Sequence, residues 1–224
     1  MREITRLKRT ALAIALIATI AGAAALVGCA GAANAPKDEP LPVQGAPLAS
    51  MAGRPVLVLP IQYIVFPDSL SFRQQLGPSA QFLAVLDDSI AASLNDRGLR
   101  SWTFAPAITA SARRNMGMTA DPHLLAAERL RRLVKPGDDP VSEPLASQIR
   151  SLVALREGRY IILPSIIRFE TRDVGSRGTL LLYLIDTRTS RIAWSGEVAS
   201  DVSRSFATIA GSVAERLADL VAAR

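Results

Sequence analysis

Between Tyr160 and Val198 the chain carries three strand-like segments in quick succession, and they leave little choice of fold. Tyr160 to Phe169 and Thr179 to Asp186 are apolar at nearly every position, without the alternation of a strand that keeps one face wet. Such runs belong to strands covered on both sides. Arg191 to Val198 alternates instead. Ile192, Trp194, Gly196 and Val198 are expected on one face, with Trp194 in the core, and Arg191, Ala193, Ser195 and Glu197 on the other. The polar Asp186-Thr187-Arg188-Thr189-Ser190 reads as a hairpin turn, and Gly175 to Gly178 as a looser turn before it.

A sheet that is apolar on both faces must lie between helices, and the rest of the chain provides them. Pro55 to Pro67 reads as a first strand, with Val56-Leu57-Val58-Leu59 apolar on both faces and a bulge or strand end at Pro60. Ser79 is expected to cap a helix running to Arg97, with Phe82, Val85, Leu86, Ile90 and Leu94 inward and Gly98 as its left-handed stop. Leu99 to Phe104 then reads as a short strand, completing a strand-helix-strand crossover. Further helices are expected from Asp121 to about Val134, from about Pro144 to Glu157, and from about Ser203 with Phe206, Ile209, Val213, Leu217 and Leu220 inward. The fold class is therefore α/β: one domain, a mixed sheet, and a C-terminal antiparallel hairpin packed against helices.

The amino terminus concerns location. A basic start (Arg2, Arg6, Lys8, Arg9) precedes an uncharged run from Thr10 to Val27, the order of a secretory signal. An uncleaved membrane helix is the alternative, since eighteen apolar residues are just long enough to span. Against it, the run is alanine-rich, contains Gly22, and has no cluster of charge after it. Leu26-Val27-Gly28-Cys29 resembles the bacterial lipobox, which implies cleavage between Gly28 and Cys29 and a lipid on the Cys29 thiol. Cys29 is the only cysteine, so no disulfide can form within the chain. Residues 1–28 are thus read as signal, 29–53 as a lipidated tether rich in proline (Pro36, Pro40, Pro42, Pro47), and 54–224 as a periplasmic domain. The lipid on Cys29 would make the membrane a partner, and Ala30 after it suggests the outer membrane, periplasmic face.

Candidate chemistry is sparse. The chain's formal charge is +6, and removal of Arg2, Arg6, Lys8, Arg9 and Glu3 with the signal would bring it to +3. That is too weak to argue for nucleic acid. His123 is the only histidine and sits at an exposed helix start, a poor place for a catalytic base. One histidine with no free cysteine cannot fill a zinc shell. Asp87 and Asp88, adjacent on a helix, diverge by about 100° and read as solvated face. Asp138-Asp139 lies in a Gly/Pro loop without a ligand pattern. Glu170, Arg172 and Asp173 could rim a site or simply form a polar loop. Arg129, Arg132 and Lys135, beside Arg131, make a basic stripe, either solvated or drawn to anionic headgroups or envelope polymer. No phosphate-binding glycine motif occurs, and Gly175-Ser176-Arg177-Gly178 is expected as a turn. No catalytic residue, metal site or cofactor is assigned.

The order of elements, Val56 to Ile61, the helix leading into Asn95-Asp96-Arg97-Gly98-Leu99, and above all Leu180 to Glu197 resemble the CsgG/LpoB-like (TolB N-terminal-like) envelope lipoproteins. That group includes the curli secretion channel subunit and lipoprotein activators of penicillin-binding proteins. Its members often carry an apolar strand, an Asp-x-x-Thr-Gly turn and a strand with Trp-Ser; here Ser190 stands where the turn glycine is usual. The resemblance implies a small α/β sandwich and a non-enzymatic adaptor or activator that binds or assembles envelope proteins. The alternatives are a self-assembling pore or secretion subunit forming a homo-oligomer, or a hydrolase of envelope polymer. No long alternating insert suited to a membrane barrel is visible.

Overall fold

The computed structural model of the chain describes residues 46–70, 78–137, 140–156 and 158–222. Gly28, Cys29, the signal, the tether up to residue 45 and Asp138-Asp139 lie outside them. The elements are β1 (Val56–Val58), β2 (Tyr63–Val65), α1 (Ser79–Asp96), α2 (Ala105–Arg114), α3 (Leu145–Ala154), β3 (Tyr160–Arg172), β4 (Gly175–Asp186), β5 (Arg191–Ala199) and α4 (Phe206–Asp219). Short 3-10 turns occur at Ala49–Met51 and Glu128–Arg131.

The domain is α/β, with one mixed five-stranded sheet of order β1-β3-β4-β5, in which β2 also pairs with β3. β1 and β2 both run parallel to β3, at Tyr160–Ile162 and Ile166–Arg168 respectively. The expected single strand is thus split in two, and the break begins just before Pro60, whose nitrogen has no hydrogen to give. β3, β4 and β5 form the antiparallel part.

Along β4 the side chains separate cleanly. Leu180, Leu182 and Leu184 join a core cluster with α1 and α4, whereas Leu181, Tyr183 and Ile185 join a second with α2 and α3. This is the doubly covered sheet that the unbroken apolar runs demand. Two register shifts adjust it. One, between Pro164 and Ile166, leaves Ser165 unpaired and fully buried, its Oγ donating to Leu130 O at 2.5 Å. The other sets Ala193 outside the ladder, since Ile185 pairs with Ile192 and Leu184 with Trp194.

That second bulge corrects the expected face of β5. Ile192 falls in the α2/α3 cluster, while Trp194 packs, half-buried, against the α1/α4 cluster together with Val198. One extra residue moves everything beyond it to the opposite face. Trp194 then lies over Gly196, where a Cβ would come within 2.5 Å of the indole ring. Ser190 holds the turn with φ +51° in the place expected to suit glycine.

Other expectations need correction. Pro78, not Ser79, precedes the first turn of α1, and Ser79 makes no cap. Gly98 does stop the helix, at φ +79°. Val85 is 45% exposed, and Asp87 takes the buried place instead. The strand expected at Leu99–Phe104 shrinks to one parallel bridge, Thr103 beside Leu57, with Trp102 and Phe104 in the core. The helix α2 was not anticipated, because its alanine-rich start with Pro106 shows no strong apolar period. Gly175–Gly178 is strand rather than turn, paired with Phe169–Arg172. The helix expected at Asp121–Val134 is an irregular segment with one 3-10 turn. Two glutamines hold it open: Leu125 N–H donates to Gln62 Oε1 (3.1 Å) and Ala126 N–H to Gln148 Oε1 (2.8 Å). α4 buries Ile209, Val213 and Leu217, as its period predicts. In the stretch expected as tether, Leu48 and Met51 are buried in the α1/α4 cluster.

The Trp194–Gly196 contact can be tested directly. Gly196→Ala is expected to cost about 1–3 kcal/mol through overpacking. In a Trp194→Ala background the same substitution should cost much less, measured by denaturant unfolding of the full double-mutant cycle.

Candidate functional site

α1 and α2 lie on opposite faces of the sheet, since Leu86 and Ile90 belong to one core cluster and Ile108 and Ala112 to the other. β1 leads by way of Pro60 to Ile61 and Gln62, and its parallel neighbour Thr103 leads to Phe104 and the start of α2. Successive connections that diverge to opposite faces open a crevice at the carboxyl ends of the strands, where open α/β sheets hold their ligands. Here that crevice is a groove of about 650 Å³ between α1, α2 and the Asp121–Leu124 loop.

Asp87 lines the groove and is 7% exposed. On a helix it stands about 100° to one side of Leu86, and Val85 the same angle to the other. Because α2 packs on the Asp87 side, the buried arc of α1 turns toward Asp87 and leaves Val85 in water. The expectation that Asp87 and Asp88 form a solvated face therefore holds for Asp88, which is exposed, and fails for Asp87. Asp87 Oδ1 accepts the Ile61 N–H at 3.1 Å. Burial pushes its pKa up to about 8, Asp88 adds to the rise, and the Ile61 bond opposes it. At neutral pH this carboxyl is protonated.

The walls are mostly small and apolar: Ala80, Leu83 and Ala84 from α1, Ala105 and Ala110 from α2, and Leu124 from the loop. Asp88 and Arg113 add one charge of each sign. His123 stands on the rim, its Nε2 2.9 Å from Thr109 Oγ1, and its backbone N–H is capped by Asp121 Oδ1 at 2.9 Å. Partial burial holds its pKa below the ordinary value, with Asp121 opposing and Arg113 assisting. It remains solvent-exposed, as expected, but the turn that carries it starts no helix.

A second surface gathers arginine. Arg129, Arg131 and Arg132 do not form a helical stripe; they fan out from the 3-10 turn around a shallow concavity that Arg168 of β3 joins. Arg131 covers the Tyr63 ring at 4.9 Å, and Arg168 pairs with Glu197 at 3.6 Å. Glu170 and Arg172 pair with each other at 2.7 Å near the tip of the β3–β4 hairpin. Among the described residues no group of three or more His, Cys, Asp or Glu side chains is placed to hold a metal ion, and no helix is long and apolar enough to cross a membrane.

Large apolar side chains are exposed in an uneven pattern. Met116 (81%), Met118 (82%) and Leu124 (75%) all belong to the segment that follows α2, and Leu124 lines the groove. Neither the groove nor this segment was foreseen. Asp87 looks like any helical acid until α2 is known to pack beside it.

No protein-family model matches the sequence, and no curated protein matches it significantly. Among solved structures, the chain is similar to the PelC dodecamer from Paraburkholderia phytofirmans: 14% identical, over 76% of this chain and 89% of that one, with a TM-score of 0.35. It is similar to the LpoB C-terminal domain from Salmonella enterica at 15% identity, 69% and 93% coverage and a TM-score of 0.36. For lipoprotein GNA1162 from Neisseria meningitidis the values are 18%, 65%, 78% and 0.33. Scores at this level assign neither a family nor a function.

Asp87 makes a distinct stability prediction. With its folded pKa raised from 3.8 to about 8, the folded chain binds a proton that the unfolded chain has released. Its contribution is therefore fully present below the unfolded value and is lost as pH rises through that window. The expected slope is up to about 1.4 kcal/mol per pH unit, flattening above about pH 8. Denaturant unfolding of wild type against Asp87→Asn at several pH values should show that slope only in wild type.

Proposed function

We propose that this chain is a non-enzymatic, lipid-anchored protein of the bacterial cell envelope. Cys29 carries the lipid after cleavage at Gly28-Cys29, the tether leads to the α/β domain in the periplasm, and the domain binds another envelope protein. Ala30 following the anchor favours the outer membrane. The observation that carries the binding role is the segment from Met116 to Leu124, with three large apolar side chains at least three-quarters exposed. Apolar surface of that kind is usual where a partner docks. Methionine suits such a surface because its flexible, polarisable side chain adapts to the shape it meets.

The partner is best sought by crosslinking in living cells, purification in mild detergent, and identification of the bound chains by mass spectrometry. Met116→Asp with Met118→Asp is expected to abolish the crosslinked species while changing stability by less than about 0.5 kcal/mol, since both side chains are in water. An undiminished crosslink to the same partner would rule out this surface. A species made only of this chain would favour the self-assembling alternative.

The anchor has its own test. Cys29→Ala is expected to leave the chain unprocessed and without label from a radioactive fatty acid. Label that persists in this variant would remove Cys29 from the proposal.

A further inference from the structure

The groove between α1 and α2 holds a hydrogen-bonding group whose capacity the fold leaves half used. Asp87 is 93% buried, being 7% exposed, and its single bond among the described residues is the one that Oδ1 accepts from Ile61 N–H. The carboxyl lines the groove, and Oδ2 has no hydrogen-bond partner among the described residues. A carboxyl kept protonated by its surroundings is a donor, and Oδ2 is not among the buried atoms that lack a partner, so it is reached from the groove.

The surroundings define what could meet it. The groove measures about 650 Å³, within the range of about 300–1,000 Å³ usual for small-molecule sites. Its walls are apolar, from Ala80, Leu83 and Ala84 on one side to Ala105 and Ala110 on the other. The charged or titratable groups that share it are Asp88 on α1, Arg113 on α2 and His123 on the loop, whereas Ile61 and Gln62 bring none. With Asp88 and Arg113 opposed in sign, neither an anion nor a cation gains a net attraction. Leu124, exposed at the mouth, would gain cover from an occupant. The position between two connections that diverge to opposite faces of the sheet is where α/β folds place ligands.

We propose that this groove is a binding site for a small neutral amphiphile: an apolar body carrying one acceptor, a ketone, ester or amide carbonyl, bonded by the Asp87 carboxyl. The site does not depend on the lipid on Cys29, and it shares Leu124 with the proposed partner-binding segment.

Prodan, a neutral naphthalene ketone whose emission reports polarity and hydrogen bonding, is a suitable probe. It would be titrated into the full chain in dodecyl maltoside, with Ala84→Trp as the blocked reference that also accounts for probe taken up by micelles. Ala84 is exposed, so the added ring fills the groove rather than the core. Ala110→Trp blocks from the α2 side and should behave alike. Saturable, blue-shifted emission is expected for wild type at pH 6.5 and for neither blocked variant. Affinity should fall about tenfold by pH 9, where about one Asp87 in ten remains protonated.

Asp87→Asn keeps an acceptor for Ile61 N–H and a neutral donor toward the groove, so it should bind equally at both pH values. Asp87→Leu should lose about tenfold at pH 6.5. Equal signal in the blocked variants, the same loss at pH 9 in Asp87→Asn, or undiminished binding by Asp87→Leu would each overturn the proposal. Thermal melts of every variant identify any that fail to fold.

Discussion

β3 and β4 are apolar on both faces, and the rest of the domain follows from the need to cover them. Neither strand is stable in water with one face bare, so α1 and α4 close one side while α2, α3 and the Leu125–Val141 segment close the other. The second cover is the less regular, and Tyr183 shows how it is held. Its ring is fully buried in β4, yet its hydroxyl donates to Arg132 O and accepts Val134 N–H at 3.2 Å. A buried phenol must satisfy its oxygen; here that need fixes a loop with little secondary structure of its own. Ser165 and Ser195 act alike, binding Leu130 O and Val134 O at 2.5 and 2.7 Å.

The parts of the fold that were legible in the amino-acid pattern are those whose period is set by their own burial. The apolar runs of β3 and β4, the face of α4, and the stop at Gly98 could be read directly. The segment from Asp121 to Val134 misled because Leu125, Leu130 and Val134 fall near helical spacing for another reason. They are pinned individually to the sheet, while the side chains of Gln62 and Gln148 take the N–H groups of Leu125 and Ala126. Partners 63 and 22 residues away are invisible to local periodicity. The face of β5 failed through one residue: Ala193 has no mark of a bulge, and its displacement decides where Trp194 points.

The candidate site was hidden for a related reason. A groove formed where two helices diverge across a sheet is a property of topology, and no residue type announces it. Asp87 and Asp88 both border the groove, yet Asp87 is buried against the Ile61 N–H and Asp88 is exposed. The arginines were visible as a group, but their arrangement was not, since a 3-10 turn spreads what a helix would have aligned.

Leu48 adds a mechanical consequence. Its N–H donates to Leu220 O at 2.8 Å, and Arg97, at the end of α1, binds Asp219 and Ala222 O in the same closing turn of α4. A chain held at a distant point and pulled would bring tension into the domain at this corner. The first contacts to bear it are the Leu48 N–H bond to Leu220 O, the bond that Trp102 Nε1–H donates to Met51 O at 3.2 Å, and the buried side chains of Leu48 and Met51. Residues 46–53 are held by far fewer bonds than the β3–β4 ladder, so they would yield to such a load before the sheet is disturbed.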